Sequence, residues 1–149
     1  MNKKDCLDTL LCAGFSGVGK SYFYRHSKLK VLDIDSSKFF DKASFPQNYI
    51  EHIKANLGKV DVILISSHKV VRDALIKEGL EFTLVYPNIN LKDEFIERYK
   101  QRKHRRNNED FIKRVSDNWT KWITRLQNQD GCKKIELSTE QYLSDVIAR

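Results

Sequence analysis

The feature that most constrains the fold is a short segment near the amino terminus. The segment Gly14–Ser21 reads Gly-Phe-Ser-Gly-Val-Gly-Lys-Ser and fits the pattern G-x-x-x-x-G-K-[ST] in full. It follows an apolar run at residues 10–13 and precedes a helix-compatible stretch that begins at Lys20. A strand, a glycine-rich turn and a helix in this order form the setting in which the pattern binds phosphate. We therefore expect a strand–loop–helix unit that cradles a polyphosphate, and residues 14–21 are called the phosphate loop below.

Each residue type in the phosphate loop has a chemical reason. Glycine at positions 14, 17 and 19 lets the backbone adopt left-handed conformations and expose its N–H groups to phosphate oxygens. The helix that follows presents its unbonded N–H groups and the positive end of its dipole to the same anion. We predict that Lys20 bridges the β- and γ-phosphates of ATP and that Ser21 ligates Mg²⁺. The predicted nucleotide-binding residues are Gly14, Ser16, Gly17, Val18, Gly19, Lys20, Ser21, Tyr22 and Arg106.

Five apolar runs alternate with segments of helical periodicity along the chain. The predicted strands are Thr9–Phe15, Lys30–Ile34, Val60–Ser66, Phe82–Pro87 and Lys133–Leu137. Most of these runs are continuous, as in strands that are covered on both faces. Alternation of strands and helices favours a parallel sheet between two helical layers. We predict an α/β, three-layer P-loop NTPase fold with a five-stranded parallel sheet, in one domain over residues 1–149.

Local signals place several helix ends. Gly79 stands where a helix would end in a glycine C-cap. Asn90 is predicted to cap a helix over residues 91–99. Ser138 and Gln141 have the spacing of a capping box for a last helix. The longest amphipathic stripe, over residues 111–126, places both tryptophans toward the core.

Two aspartates follow the second apolar run with one residue between them. In the stretch Val31–Asp35, Asp33 and Asp35 would point the same way on an extended strand. Both side chains would then emerge at the carboxyl edge of the sheet, where α/β proteins bind ligands. We predict that Asp33 holds the Mg²⁺ hydration shell or takes the proton from an attacking hydroxyl, and that Asp35 holds the acceptor. The alternative is a turn and N-cap, which Asp-Ser-Ser also suits.

The order of strand, phosphate loop, short helix, strand and Asp-x-Asp resembles the small-molecule and nucleotide kinases of the P-loop fold, such as shikimate kinase and the nucleoside monophosphate kinases. The segments Val31–Phe40, Pro46–Lys54 and Ser66–Leu75 resemble small bacteriophage proteins described as nucleotide kinases or P-loop ATPases. This similarity extends over nearly the whole chain. The likeness to shikimate kinase implies a metal-associated role for Asp33 and an acceptor-binding role for Asp35.

The third apolar run departs from the pattern of the P-loop family. It ends in Ser-Ser-His at residues 66–68, where the Walker B acid usually stands, and Asp61 lies at the other end of the run. Asp33 is therefore the best substitute for the missing carboxylate. The predicted acceptor-binding residues are Asp35, Ser36, Phe39, Ser67, His68 and Arg72. In the alternative interpretation, Ser66 and His68 cap the next helix, Arg72 faces solvent, and the aromatic residues near Phe39, Phe40, Phe45 and Tyr49 belong to the core.

A basic block lies between the fourth strand and the long tryptophan-bearing helix. Six arginines and lysines fall within residues 98–106, in a chain of net charge +7. Such a block attracts the phosphates of a nucleotide or of a nucleic acid, or it is simply a solvated helix end. In the nucleoside monophosphate kinases this position is occupied by an arginine-rich lid, so the resemblance implies a lid around residues 98–110. Closing arginines would stabilise the transition state, and we predict catalytic roles for Lys20, Asp33, Arg98 and Arg102.

These features together predict an ATP-dependent phosphotransferase that uses Mg-ATP and acts on a nucleoside or nucleotide, of the deoxynucleoside monophosphate kind. The alternatives are a kinase of nucleic-acid ends or modified bases, and a regulatory P-loop ATPase without a small-molecule acceptor. Three cysteines without Cys-x-x-Cys spacing favour neither a disulfide framework nor a zinc site. No apolar run is long enough for a signal peptide or a membrane span. We expect a cytoplasmic protein, of a phage-infected bacterium on the resemblance, with no membrane partner.

Overall fold

The computed structural model describes residues 9–34, 39, 43–102 and 108–147. Its strands are β1 (Leu10–Gly14), β2 (Val31–Asp33), β3 (Val62–Ser66), β4 (Thr83–Pro87) and β5 (Lys133–Leu137). Its helices are α1 (Lys20–His26), α2 (Gln47–Asn56), α3 (Lys69–Lys77), α4 (Lys92–Lys100), α5 (Asn108–Gln127) and α6 (Leu143–Val146), with a 3₁₀ turn at Ile89–Leu91.

The strands form one sheet in the order β2-β3-β1-β4-β5. Every neighbouring pair is parallel, with Gly14 beside Ser66 and Asp33 beside Leu64. The carboxyl ends of β1, β2 and β3 therefore meet at one edge, which is where open α/β sheets bind their ligands. Helices flank the sheet, and the predicted α/β architecture with a five-stranded parallel sheet is confirmed.

Burial of the strands separates the centre of the sheet from its edges. Strands β1, β3 and β4 are almost entirely buried. Strands β2 and β5 are only partly covered, because each lies at an edge of the sheet. The prediction that all five apolar runs are buried strands is thus wrong for the two edge strands, and the observed strands are shorter than four of the five predicted runs.

The long helix α5 packs its apolar stripe on β4, the 3₁₀ turn and α4. Val115, Trp119, Ile123 and Leu126 are buried along this stripe. The indole N–H of Trp119 donates to the backbone carbonyl of Ile89 at 2.7 Å, so the ring fixes the turn that leads into α4. Trp122 packs half-buried beside the core, as its helical spacing predicts.

Two of the three predicted helix ends differ from the structure. Gly79 follows α3 with φ of +70°, as a glycine C-cap requires. The predicted Asn90 N-cap is wrong: Asn88 accepts the Asn90 N–H at 2.8 Å and caps the 3₁₀ turn before α4. A proximal asparagine won because the chain first makes a tight turn and only then an α-helix.

The last helix also begins later than predicted. The Gln141 side chain accepts the Ser138 N–H at 2.8 Å, which is half of the predicted capping box. The helix itself starts at Leu143, and the Asp145 carboxylate accepts the Tyr142 N–H at 2.8 Å. Residues 138–142 therefore form a loop between β5 and α6, called the β5–α6 loop below. Within the described residues no helix combines the length and the apolarity needed to cross a bilayer.

Candidate functional site

A cleft of about 1440 Å³ opens at the carboxyl edge of the sheet. It is larger than the 300–1,000 Å³ or so of a usual small-molecule pocket. Most of the predicted site residues line it: Gly14, Ser16, Gly17, Gly19, Lys20, Ser21, Tyr22, Asp33, Ser67, His68, Arg98 and Arg102. Val18, Phe39 and Arg72 are described but are not among its lining residues. Asp35, Ser36, Phe40 and Arg106 lie outside the described residues.

The phosphate loop has the backbone conformation for which its glycines were singled out. Gly17 and Gly19 have φ of +94° and +100°. A Cβ atom at Gly17 would lie 2.9 Å from the Tyr99 ring and 3.0 Å from the Phe95 ring. Helix α4 thus packs directly against the loop, and only glycine satisfies both the backbone angle and the space.

Three successive carbonyl groups of the loop point outward, and each accepts a hydrogen bond from a neighbouring element. The Tyr99 hydroxyl donates to Ser16 at 2.8 Å, and Arg98 Nη1 donates to Gly17 at 2.8 Å. The backbone N–H of Leu143 donates to Val18 at 2.7 Å. The loop is therefore held from outside by α4 and by the start of α6.

Outward carbonyls leave amide N–H groups on the opposite side. In a trans peptide the C=O of one residue and the N–H of the next are antiparallel. The N–H groups of Gly17 and Gly19 consequently face away from their outer donors and have no acceptor among the described residues. Between them the Val18 N–H donates to Phe15 at 3.2 Å and closes the turn. This arrangement of exposed amides is suited to an anion.

Helix α1 extends the same cradle. Its first backbone bond runs from the Phe23 N–H to the Gly19 carbonyl at 3.0 Å, so the preceding amides have no helical acceptor. The Lys20 ammonium folds back over the loop and donates to the Gly14 carbonyl at 2.9 Å. A positive charge and a helix amino terminus thus converge on one point, where a polyphosphate would be stabilised.

The floor of the cleft beside the loop is fixed by a buried hydroxyl. Tyr49 is fully buried, and its hydroxyl donates to the Ile34 carbonyl at 3.0 Å and accepts the Ser66 N–H at 3.3 Å. The carboxyl ends of β2 and β3 are joined through this one oxygen. Tyr49 is therefore part of the core, as the alternative interpretation of the aromatic residues held. Phe39 packs edge-to-face on Tyr49 at 5.2 Å between ring centroids and does not reach the cleft.

The end of β3 supplies Ser66, Ser67 and His68 to the cleft. The Ser66 hydroxyl accepts the His68 N–H at 3.1 Å, and His68 is the N-cap residue of α3. Partial burial, and then the charges of Lys20 and Arg72, hold the pKa of His68 below its ordinary value of 6.5. The imidazole is consequently neutral at physiological pH and can accept a hydrogen bond from a ligand.

The predicted acceptor-binding role of Arg72 is wrong. The side chain is buried, its Nε donates to the Ser67 carbonyl at 2.9 Å, and its Nη1 donates to the Gln129 side chain. Its donors are turned toward the end of α5 and the backbone below the cleft. Arg72 acts on the site only indirectly, by fixing the Ser67 peptide.

Arg98 lines the cleft but does not have the geometry of a lid arginine. Its side chain is 9% exposed, and it forms an ion pair at 2.9 Å with Glu94, one turn earlier on α4. Its guanidinium carbon lies 4.2 Å from the Phe95 ring centroid and 3.8 Å from that of Tyr142. A lid arginine must move onto a ligand, whereas this guanidinium is already enclosed by protein groups.

Arg102 keeps a place compatible with ligand binding. It follows α4, lines the cleft and lies 5.3 Å from the Tyr99 ring centroid. The rest of the predicted lid, residues 103–107, lies outside the described residues. The start of α5 is tied to the end of α4, because the Asn108 side chain donates to the Tyr99 carbonyl at 2.9 Å.

The residues present fit Mg²⁺ bound in the way that P-loop sites bind it. Among the described residues no group of three or more His, Cys, Asp or Glu side chains could hold a metal ion by itself. Mg²⁺ needs no such cage, since it is usually held by one or two protein oxygens together with phosphates and water. The Ser21 hydroxyl and the Asp33 carboxylate both line the cleft and are the oxygen ligands available to it. Asp61 lies at the amino end of β3 and accepts the Lys30 N–H there, at 2.8 Å.

Several residues that build the site were not found from the sequence. Glu94 accepts bonds from Arg98 Nη2, from the Thr139 hydroxyl at 2.6 Å and from the Glu140 N–H at 3.0 Å. The i, i+4 spacing of Glu94 and Arg98 was a signal that could have paired them. No sequence signal links Leu143 to Val18, because backbone contacts between distant segments leave no pattern in side chains.

Comparison with known proteins assigns no family to the chain. No protein-family model matches the sequence, and a search of curated proteins finds no match. What the molecule does is therefore argued from the groups in its cleft.

Proposed function

We propose that the protein is an ATP-dependent phosphotransferase of the P-loop kinase type, which uses Mg-ATP to phosphorylate a nucleoside or nucleotide. The observation that carries this proposal is the phosphate loop itself. Its exposed amides, the α1 amino terminus and the Lys20 ammonium converge at the mouth of β1. Such a combination is suited to the β- and γ-phosphates of a nucleoside triphosphate.

The other side of the cleft supplies groups for an acceptor. Asp33 stands at the end of β2, with the β3 end and its neutral His68 beside it. In this proposal Asp33 accepts the proton of the attacking hydroxyl or orders the water around Mg²⁺. Arg25 of α1 also lines the cleft and would favour an acceptor that carries negative charge.

The dimensions of the cleft favour transfer over simple hydrolysis. At about 1440 Å³ it offers more room than one nucleotide needs, and it extends from the phosphate loop to Asp33 and His68. An ATPase without an acceptor has no use for a lined compartment on the far side of the γ-phosphate. We therefore place the acceptor between Asp33 and the end of β3.

The test is an acceptor screen with γ-labelled ATP and Mg²⁺. Nucleosides, nucleoside monophosphates, sugars and oligonucleotides are offered in turn, and the labelled product is identified. We expect label on a nucleoside or a nucleoside monophosphate. Label only on oligonucleotide ends would favour a nucleic-acid kinase, and release of inorganic phosphate alone, with ATP bound, would contradict the kinase proposal.

A matched variant tests the role of Asp33. Asp33→Asn keeps the size of the side chain and removes its charge, so ATP binding should persist. Transfer should fall about 10²–10⁴-fold, the usual contribution of a positioned proton acceptor. Transfer at the parent rate would remove Asp33 from the mechanism.

A further inference from the structure

We propose that Arg98 is a positioning residue for the phosphate loop. By holding the Gly17 carbonyl outward, it sets the backbone conformation that grips a polyphosphate before any ligand arrives. This role rests on the proposed function, because it presupposes that the loop binds the anion. It differs from a lid role, in which the guanidinium itself would contact the transferred phosphate.

The contacts of Arg98 leave its guanidinium little freedom. Nη1 donates to the Gly17 carbonyl at 2.8 Å. Nη2 donates to Glu94 Oε2 at 2.9 Å and to the Gln141 carbonyl at 2.8 Å. The rings of Phe95 and Tyr142 pack against the guanidinium. A planar fork held at both terminal nitrogens is a rigid donor to Gly17, whereas a flexible ammonium would not be.

Gly17 is the residue that most needs such a donor. Its φ of +94° is one of several regions that glycine populates about equally in the absence of other contacts. A carbonyl fixed by a charged donor selects one of these conformations, since hydrogen bonds from ionised groups are the stronger ones. The flanking carbonyls of Ser16 and Val18 are held by Tyr99 and Leu143, so the middle peptide completes the set.

One feature of Arg98 is difficult to explain by folding stability alone. Its Nε is buried and has no acceptor among the described residues. Unsatisfied buried donors are rare in native proteins, and each needs a reason. The three oxygens bound at Nη1 and Nη2 fix the plane of the guanidinium and leave Nε facing no partner. The fold thus keeps an unfavourable group in order to keep the contact with Gly17, which is typical of functional sites.

The experiment compares Arg98→Met with Arg114→Met. Methionine keeps apolar contact with the neighbouring rings but removes the donors and the charge. Arg114 is exposed on α5 and lies 5.9 Å from the Phe111 ring centroid, so its replacement removes the same charge away from the loop. The probe is inorganic tripolyphosphate, whose binding is measured by titration calorimetry. A second readout, the ¹⁵N order parameters of residues 15–19, is recorded on the free protein.

We expect Arg98→Met to weaken tripolyphosphate binding roughly tenfold or more, as the loss of one charged hydrogen bond implies. Its loop order parameters should fall to below about 0.6 while those of the sheet stay near about 0.85. With ATP as substrate, KM should rise while kcat stays within about threefold, because the lost interaction is made in ground state and transition state alike. Arg114→Met should match the parent in each measurement.

Two results would overturn the proposal, and a third would overturn both proposals. An Arg98→Met protein that binds tripolyphosphate like the parent, or whose loop stays ordered, removes the positioning role alone. If Arg98→Met does not fold, Arg98→Lys decides: an ammonium cannot reach Gly17 and Gln141 together, so full parent affinity would show that charge suffices. A parent that fails to bind tripolyphosphate at all contradicts the proposed function and the role of Arg98 with it.

Discussion

At the scale of single residues, the glycines of the phosphate loop are distinguished by what surrounds them. A Cβ at Gly17 meets two aromatic rings of α4, whereas a Cβ at Gly79 meets nothing within 4 Å. Both residues have positive φ, of +94° and +70°. The two sites therefore separate the cost of a left-handed backbone from the cost of lost space.

We predict that Gly17→Ala destabilises the protein by about 2–4 kcal/mol, from backbone strain and from crowding against the rings together. Gly79→Ala, with backbone strain alone, should cost only about 1–2 kcal/mol. Urea denaturation of both variants measures the difference. Gly17→Ala should also lose nucleotide affinity, because the ring contacts would push the loop out of register. Equal destabilisation by the two substitutions would contradict this account of α4 packing.

At the scale of elements, α4 and the β5–α6 loop are joined through Glu94. Its carboxylate accepts from Arg98 on its own helix and from Thr139 and Glu140 in the loop. Burial alone would raise the pKa of Glu94, but these hydrogen bonds and the charge of Arg98 hold it below its ordinary value of 4.5. The ionised form of Glu94 therefore stabilises the contact between the two elements.

This pKa fixes the sign of a pH dependence. A carboxyl group whose folded pKa is lowered stabilises the fold fully above its ordinary value and loses that contribution as the pH falls through the folded value. We predict that Glu94→Gln is less stable than the parent by about 1–3 kcal/mol at pH 7, and that this difference shrinks below pH 4.5. Chemical denaturation at pH 7, 5 and 3.5 gives the measurement.

The control is Glu97→Gln, at an exposed carboxylate whose side chain accepts only from Gln101, at 3.2 Å. This variant should stay within about 0.5 kcal/mol of the parent at every pH, as surface substitutions usually do. A Glu94→Gln protein whose difference from the parent does not change with pH would show that the carboxylate is not what holds the loop.

How much of these elements was visible in the sequence depends on how local their causes are. The phosphate loop and the strands were predicted because glycine spacing and apolar runs act within a few residues. The two arginines were misjudged for the opposite reason. Arg72 is fixed by a residue 57 positions away and Arg98 by one 81 positions away. A charge pattern indicates attraction to an anion but not that a carbonyl of the same chain will take the donor first.

At the scale of the whole molecule, ligand binding should be visible as added stability. A ligand at about 100 times its Kd stabilises the folded state by about 2.7 kcal/mol. For a chain of this length we predict that Mg-ATP raises Tm by about 5–10 °C, measured by scanning calorimetry. Lys20→Ala should fold and show no such rise, because the ammonium that faces the phosphates is missing.

Salt identifies the kind of ligand that the net charge of +7 serves. A nucleotide makes few phosphate contacts, so its effect on Tm should change little between 50 and 200 mM salt. Binding along a nucleic-acid backbone through six or more contacts would weaken by a factor of roughly a thousand or more over that range. A steep loss of oligonucleotide affinity, with no effect of Mg-ATP, would therefore turn the proposal toward nucleic acid.

The hydroxyl of Tyr49 sets a limit on how the cleft can adapt. Because one oxygen joins the Ile34 carbonyl to the Ser66 N–H, the tips of β2 and β3 cannot spread apart without breaking a buried bond. A bulkier acceptor would have to gain its room from the α4 side or from α1. Over evolution, changes in acceptor size should therefore accumulate in those helices, while a tyrosine at position 49 is inherited unaltered.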